Sequence, residues 1–291
     1  MSGALRAAAR TLRYALPGKL GHLLPAPDAA WAARQRDRLA RRGLASAIGY
    51  FQADDAGPAE IAAQNCAIAG RLAGWDSYLA VKAPPLGFDP VHLAVIAAAA
   101  REAGLPLVFD SHAPDLAQPT LDVVATLLDA HPGTGFALPA RWRRSEGDAA
   151  RFRDGSARIR LVKGEWPDPA WPDAQASENY LKLARLLAGR RAKVAVATHD
   201  PALAERALAI LLAEGTPCEL EQLRGLPRRR TTAVARSLGV PIRIYLPFGP
   251  GWWPYAIDRV LARPHLPLWA LRDRFGARPL SPSASAAYRS S

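Results

Sequence analysis

Sulfur is scarce in this chain: two cysteines and one methionine in 291 residues. Cys66 and Cys218 stand far apart inside apolar stretches, which argues against a disulfide framework or a zinc site and leaves two core thiols. Long apolar runs are missing as well. None reaches the roughly 18 residues of a membrane span, and arginines interrupt the first 40 residues throughout, so the expectation is no transmembrane segment and a soluble, cytoplasmic protein. Acidic residues are in short supply, 26 against 38 basic ones, for a net charge of +12. Such a surplus suits nucleic acid when the cations are clustered, because they release counterions from phosphate. Here 33 of the 38 are arginine, and they are scattered. The densest runs, Arg141–Arg144 and Arg228–Arg230, fall where helices begin, which suits solvated faces. No basic patch is interleaved with aromatics for base stacking. No specific nucleic-acid partner is therefore expected, only a general attraction for anions.

Several catalytic signatures are absent too. No GxGxxG follows the first strand, no GxSxG elbow occurs, and His112, His131 and His199 lack HExxH spacing or a cysteine partner. That argues against an open dinucleotide-binding sheet, a serine hydrolase and a metal site. His92 and His265 sit beside apolar helix or turn residues, which leaves His199 as the site candidate among the histidines.

What is present is an alternation. Apolar runs suited to buried parallel strands occur near Ser46–Tyr50, Ser77–Val81, Leu105–Phe109, Thr134–Leu138, Ala157–Val162, Lys193–Ala197, Pro217–Leu220 and Pro241–Tyr245. Helical stretches separate them near 57–73, 90–103, 116–130, 146–153, 174–188, 201–214, 228–238 and 252–262. Asp89-Pro90 is a start signal, and Gly74, Gly104, Gly215 and Gly239 are stop signals. Eight strand–helix alternations in about 220 residues predict an α/β fold of the (β/α)8 TIM-barrel type over 44–274. Residues 1–43, with Trp31 and Leu39 on an apolar stripe among Arg34, Arg36, Arg38 and Arg41, predict an N-terminal helical segment packed on that barrel. Residues 275–291 are small and polar and predict a disordered tail.

A barrel keeps its chemistry at the C-terminal ends of its strands. The polar residues collected there are Lys82 after strand 2, Asp110 after strand 3, Arg160 and Lys163 in and after strand 5, and Thr198 and His199 after strand 6. Glu219 and Glu221 lie around strand 7, and Tyr245 in strand 8. Burying so many ionisable groups is unfavourable unless each has a partner or a ligand. The set suits an anionic cofactor and an acidic substrate, with structural ion-pair networks as the competing explanation. Lys163 adds a rival chemistry: a desolvated lysine on a barrel strand can form a Schiff base, as in a lyase of the aldolase kind.

Four segments carry a closer resemblance. RLVKGEW at Arg160–Trp166, VATHD at Val196–Asp200, CELEQLRG at Cys218–Gly225 and RIYLPFGPGWWPYAIDR at Arg243–Arg259 resemble, in order and spacing, the core motifs of the flavin-dependent proline dehydrogenase family. The similarity extends from about Ser77 to Pro264 and implies a barrel that holds FAD. The flavin takes a hydride from the substrate carbon next to nitrogen, turning proline into the pyrroline. By the same resemblance Arg160 and Asp110 are catalytic, Arg160 near the reactive edge of the flavin and Asp110 within the active-site network. Lys163, Gly164, Glu165, Trp166, Thr198 and His199 contact the cofactor, Glu219 reaches its adenosine part, and Pro139 replaces a flavin-touching glutamine. Lys82 and Tyr245 meet the substrate.

Departures bear on the substrate. Where the family has two consecutive arginines clamping the substrate carboxylate, this chain reads Asp258-Arg259, and Pro139 removes donors at its place. Asp258 tilts the expectation toward a cyclic amino acid or amine with less carboxylate or an added positive group. A quinone is admitted as electron acceptor. The alternative within the same fold is a catalytically weak relative that binds FAD or another ligand.

Overall fold

A computed structural model describes residues 25–261, apart from the side chains of 258–261. The 275–291 tail lies outside the described residues. The chain enters through helix α1 (Ala29–Ala40), which begins where the Asp28 carboxylate accepts from the Trp31 amide at 2.6 Å. Strands and helices then alternate: β1 (Ala45–Tyr50), α2 (Pro58–Leu72), β2 (Ser77–Val81), α3 (Pro90–Glu102), β3 (Leu107–Phe109), α4 (Ala117–Leu128), β4 (Gly135–Pro139), α5 (Ser145–Arg151), β5 (Arg158–Val162), α6 (Ala176–Leu187), β6 (Val194–Ala197), α7 (Pro201–Ala213), β7 (Cys218–Leu223), α8 (Arg229–Ser237), β8 (Ile242–Phe248) and α9 (Trp252–Leu261). The strands are parallel, stand in sequence order and close with β8 beside β1.

Both faces of each strand are buried, which is why the strands read as continuous apolar runs. Alternate residues such as Ile48, Leu79, Phe109, Phe136, Ile159, Val196, Leu220 and Ile244 pack outward under the helices in the main core. Each such side chain contributes roughly 1.5–3 kcal/mol on full burial. The opposite set, Ala47, Tyr78, Ala80, Val108 and Tyr245, forms a separate cluster inside the barrel. β7 and β8 run three residues beyond their expected ends. Glu221, Gln222 and Pro247 break the apolar pattern there, yet all belong to paired strands.

The first and last helices of the described residues depart from the regular barrel arrangement. Helix α1 packs on the outside of β1 and β8, where the helix following β8 would close a regular barrel. Helix α9 instead lies over the open end. Its Trp252 and Tyr255 rings meet Phe51, just past β1, at centroid distances of 5.4 and 5.1 Å. The Tyr255 hydroxyl donates to Glu165, just past β5, at 2.6 Å. Asp258 and Arg259 fall on the backbone of this helix, and their side chains lie outside the described residues.

Candidate active site

The mouth of the barrel is organised around Asp110, the first residue after β3. Arg160 from β5 donates through Nη2 to Asp110 Oδ1 at 2.6 Å, and the Tyr245 hydroxyl from β8 donates to Oδ2 at 2.9 Å. Lys82, following β2, holds its Nζ 3.6 Å from the same Oδ2. That ammonium also donates to the Tyr50 carbonyl at 2.7 Å and stands 3.8 Å from the centre of the Phe51 ring. Four strand ends thus deliver two cations, a carboxylate and a phenol to one place, as the strand-end rule anticipates. Local backbone makes this fit. A Cβ on Gly49 of β1 would collide with the Tyr245 hydroxyl, so only glycine lets that ring cross to Asp110.

Electrostatics follow the geometry. Burial alone would push the Asp110 carboxyl up, but Arg160, Lys82 and the two hydrogen bonds outweigh it and hold it below the ordinary aspartate value. Burial lowers Lys82 despite Asp110, with Arg160 adding to the effect. Burial raises the Tyr245 phenol well above its usual range, and Asp110 reinforces it. The mouth therefore presents an ionised carboxylate, a fixed guanidinium and a neutral phenol. His112, two residues past Asp110, has a buried Nε2 with no hydrogen-bond partner among the described residues, and burial keeps its imidazole below the usual histidine range.

A second ionic cluster lies deeper, at the N-terminal end of the barrel, and it claims Glu219. Arg243 donates to Glu219 through Nε at 2.7 Å and Nη2 at 3.1 Å, and Arg158 donates to the same carboxylate. Arg243 also reaches the Ser46 carbonyl at 2.7 Å and Asp76 at 2.8 Å. Burial would raise the Glu219 carboxyl, but Arg243 and Arg158 bring it down to about 2. Glu219 is 1% exposed and is not among the groups at the mouth. The expectation that it meets a cofactor's adenosine is corrected on that ground: its oxygens are spent on internal arginines.

The remaining expected contacts gather on the β4 to β7 side. Gly164 has a left-handed φ of +89°, and a Cβ there would lie 2.8 Å from Pro139 Cβ and 3.0 Å from Arg141 Cγ. The turn after β5 is therefore held against the end of β4. Pro139 offers only ring surface, since its carbonyl accepts from Ser145 at 2.6 Å. The Glu165 carbonyl accepts from Arg141 at 3.3 Å, the Trp166 carbonyl accepts from Trp142 at 2.9 Å, and the Trp166 ring is exposed. Thr198 Oγ1 accepts the Asp200 amide at 3.1 Å.

Two residues differ from expectation in kind. The Leu223 amide donates to His199 Nε2 at 3.0 Å, and Nδ1 stands 2.8 Å from the Pro227 carbonyl. An amide only donates and a carbonyl only accepts, so Nδ1 carries the proton and both ring nitrogens are engaged by backbone. His199 is thereby a clamp joining the ends of β6 and β7. Lys163 is 39% exposed at its side chain and stands 3.5 Å from Asp200. Such an exposed side chain beside a carboxylate lacks the desolvation that a Schiff-base lysine requires. Burial pushes the Cys218 thiol up to about 11, as a core position should.

Tyr78, Arg158, Arg243 and Tyr255 were not singled out by sequence. The available signal was alternation along each strand, which places Tyr78, Arg158 and Arg243 on the inner face. Among the described residues, no group of His, Cys, Asp and Glu is arranged to hold a metal ion, and no helix is long and apolar enough to cross a membrane.

Sequence and fold have relatives among known proteins. A family model described as proline dehydrogenase matches residues 32–251. Proline dehydrogenase 1 of Bacillus subtilis (strain 168) is 27% identical over 248 residues, covering 78% of this chain and 81% of that protein. Proline dehydrogenase of Deinococcus radiodurans is 32% identical over 182 residues, covering 58% and 57%. Among solved structures, proline utilization A from Bdellovibrio bacteriovorus, inactivated by N-propargylglycine, aligns with a TM-score of 0.70 at 17% identity. It covers 88% of this chain and 35% of that one. At that identity the likeness shows the fold alone, and the chain spans about a third of the solved protein's length.

Proposed function

Since the chain belongs to the proline dehydrogenase family, we propose that its barrel mouth binds FAD and oxidises L-proline, or a related cyclic amino acid or amine, to the pyrroline. When bound, the flavin supplies the hydride-accepting chemistry. The fit of the site to such a cofactor is supported by the donor set on the β4 to β7 side: Lys163, Arg141 and Thr198 around the tight Gly164 turn, with the Trp166 ring beside it. Those groups suit a planar, anionic molecule. Arg160, Lys163, Gly164, Glu165, Trp166 and Thr198 are the residues we assign to holding it, with Pro139 giving apolar contact and His199 shaping the wall.

The observation that carries the reading is the convergence of Lys82, Asp110, Arg160 and Tyr245 at the mouth. Arg160 presents a permanent positive charge that is already oriented, so no reorganisation is needed as negative charge accumulates beside it. Asp110 holds Arg160, Lys82 and the Tyr245 hydroxyl in register; a carboxyl held below its ordinary value suits a fixed anion better than a proton acceptor. Lys82 has donors left for a substrate carboxylate, and Tyr245 covers the substrate ring. Asp258 beside Arg259 removes half of the expected carboxylate clamp, which favours substrates carrying less negative charge. The reading extends to a quinone as electron acceptor and to a cytoplasmic site of action.

An absorbance spectrum of the purified protein, before and after anaerobic addition of proline and of a panel of cyclic amines, tests cofactor and reaction together. Flavin bands that bleach with at least one of these substrates are expected, followed by reoxidation with a soluble quinone. A colourless protein that FAD neither binds nor stabilises would overturn the proposal. A flavin that no substrate reduces would leave a binding protein in place of an enzyme.

A further inference from the structure

Three carboxylates are buried inside the barrel, and their surroundings push them apart. Glu219, between Arg243 and Arg158, sits at about 2, and Asp110, between Arg160 and Lys82, lies below its ordinary value. Glu221 goes the other way. Burial raises its carboxyl above the usual glutamate value, and the opposing pull of Arg160 and of the Tyr78 hydrogen bond does not cancel this. Carboxylates with divergent surroundings in one chamber commonly have divergent roles.

The geometry says what Glu221 is connected to. The Tyr78 hydroxyl shares its proton between Glu221 Oε1 at 2.8 Å and Oε2 at 2.7 Å. Arg160 Nη1 donates to that hydroxyl at 3.3 Å and lies 3.5 Å from Glu221 Oε1, while Nη2 holds Asp110 at 2.6 Å. One guanidinium is therefore strung between the carboxylate of the mouth and a carboxylate of the interior, with Tyr78 as the bridge. The other charged groups facing Glu221 are Arg243 from β8 and Glu219 on its own strand, and the Tyr180 phenol on α6 also senses it. Glu219 already engages Arg243, so Arg160 is the cation left to answer Glu221.

We propose that Glu221 is a positioning residue: acting through Tyr78, it aims Arg160 at the mouth and sets how much of that arginine's positive charge the mouth experiences. Ionised Glu221 offsets part of the guanidinium field, and neutral Glu221 leaves Arg160 to Asp110 alone. This rests on the reading that the mouth holds a flavin, since a cation beside the ring favours the reduced, anionic form.

The test is the midpoint potential of the bound flavin in wild type, Glu221→Gln and Tyr78→Phe, across the pH range in which each stays folded. In Glu221→Gln the reduction equilibrium should move toward the reduced form by about tenfold at the alkaline end, roughly 30 mV for a two-electron couple. The gap to wild type should close as pH falls, because the wild-type glutamate then takes up its own proton. Tyr78→Phe removes the hydrogen bond that favours the ionised form, so its potential should rise at intermediate pH and meet wild type at both extremes. Potentials unchanged in both variants, or an offset independent of pH, would overturn the proposal. If Glu221→Gln does not fold, the pH course of Tyr78→Phe decides alone. Wild-type protein that holds no flavin would sink the function proposed above and this role with it. A flavin bound and reduced normally in every variant would sink only the role of Glu221.

Discussion

Two acidic residues on one strand, Glu219 and Glu221, show how little a residue's chemical type says without its depth in the barrel. Glu219 is a stability element. Its carboxyl sits at about 2 against an ordinary 4.5, and a depressed carboxylate contributes stability that is present above the ordinary value and lost as pH falls toward the folded one. The difference corresponds to about 3 kcal/mol, lost between roughly pH 4.5 and pH 2. Glu219→Gln removes the anion that Arg243 and Arg158 share, although Arg243 keeps Asp76. It should cost roughly 3–5 kcal/mol, a fall in Tm on the order of 10 °C by calorimetry, and should flatten the acid limb of the stability curve. Flavin affinity of the folded fraction should not change. If affinity falls while Tm holds, Glu219 belongs to the cofactor site after all. Asp110→Asn should behave in the opposite manner. It releases Arg160 and Lys82 at the mouth, so kcat/KM should drop by roughly a hundredfold, the scale of a misplaced reacting group, with flavin still bound. Retention of full activity in that variant would remove Asp110 from the machinery.

At the level of strands, β1 and β8 meet where Gly49 faces the Tyr245 ring. A methyl group at Gly49 has no space, so Gly49→Ala should cost about 1–3 kcal/mol as overpacking and raise KM by pulling Tyr245 off Asp110. Adding Tyr245→Leu to that variant should restore much of the stability and none of the binding, read by thermal melts and substrate titration. If the double variant recovers both, the crossing of Tyr245 over Gly49 has no functional part. The strands themselves were legible because each apolar run is buried on both faces, and the helices between them are bounded by signals such as Asp89-Pro90 at a start and Gly104 at a stop. Their outer ends were less so. Glu221 and Gln222 look like a loop until Tyr78 is seen to donate to Glu221 and Thr232 to Gln222 Oε1, and Pro247 looks like a stop although it sits in a paired strand. For placement at the mouth, the strand-end rule agrees with where Lys82, Asp110, Arg160 and Tyr245 lie. It failed for Glu219, because one or two residues of strand boundary decide whether an inward side chain faces the mouth or the base. Tyr78 and Arg243 were hidden for a different reason: alternation puts them on the inner face in phase with Lys82 and Tyr245, but nothing local names their partners, which lie far along the chain.

Across the described residues as a whole, the placement of α1 and α9 couples the wall of the barrel to the cover of its mouth. Helix α1 seals the outside of β1 and β8, and the segment leading into it holds the start of α9. The Pro27 carbonyl accepts the Gly249 amide at 2.7 Å, and the Pro25 carbonyl accepts Trp253 Nε1 at 3.0 Å. A third tie runs to the turn after β7, where Arg224 donates to Gln35 at 2.7 Å and lies over the Trp31 ring at 5.0 Å. Loosening α1 should therefore loosen α9 and speed ligand exchange at a site that α1 does not touch. Ala32, on the inner face of α1, is fully buried, and a carboxylate there must either become neutral or lift the helix, at a cost of several kcal/mol. Ala32→Glu should bind a hydrophobic dye, lower Tm, and release flavin faster, followed by recovery of flavin fluorescence after dilution. Trp253→Phe is the mild counterpart. It keeps the ring and removes one hydrogen bond worth up to about 1 kcal/mol, so the wall should stay sealed against dye while flavin release accelerates by at most about fivefold. If Ala32→Glu exposes the wall yet releases flavin at the wild-type rate, the two helices act independently and α1 does not govern the cover.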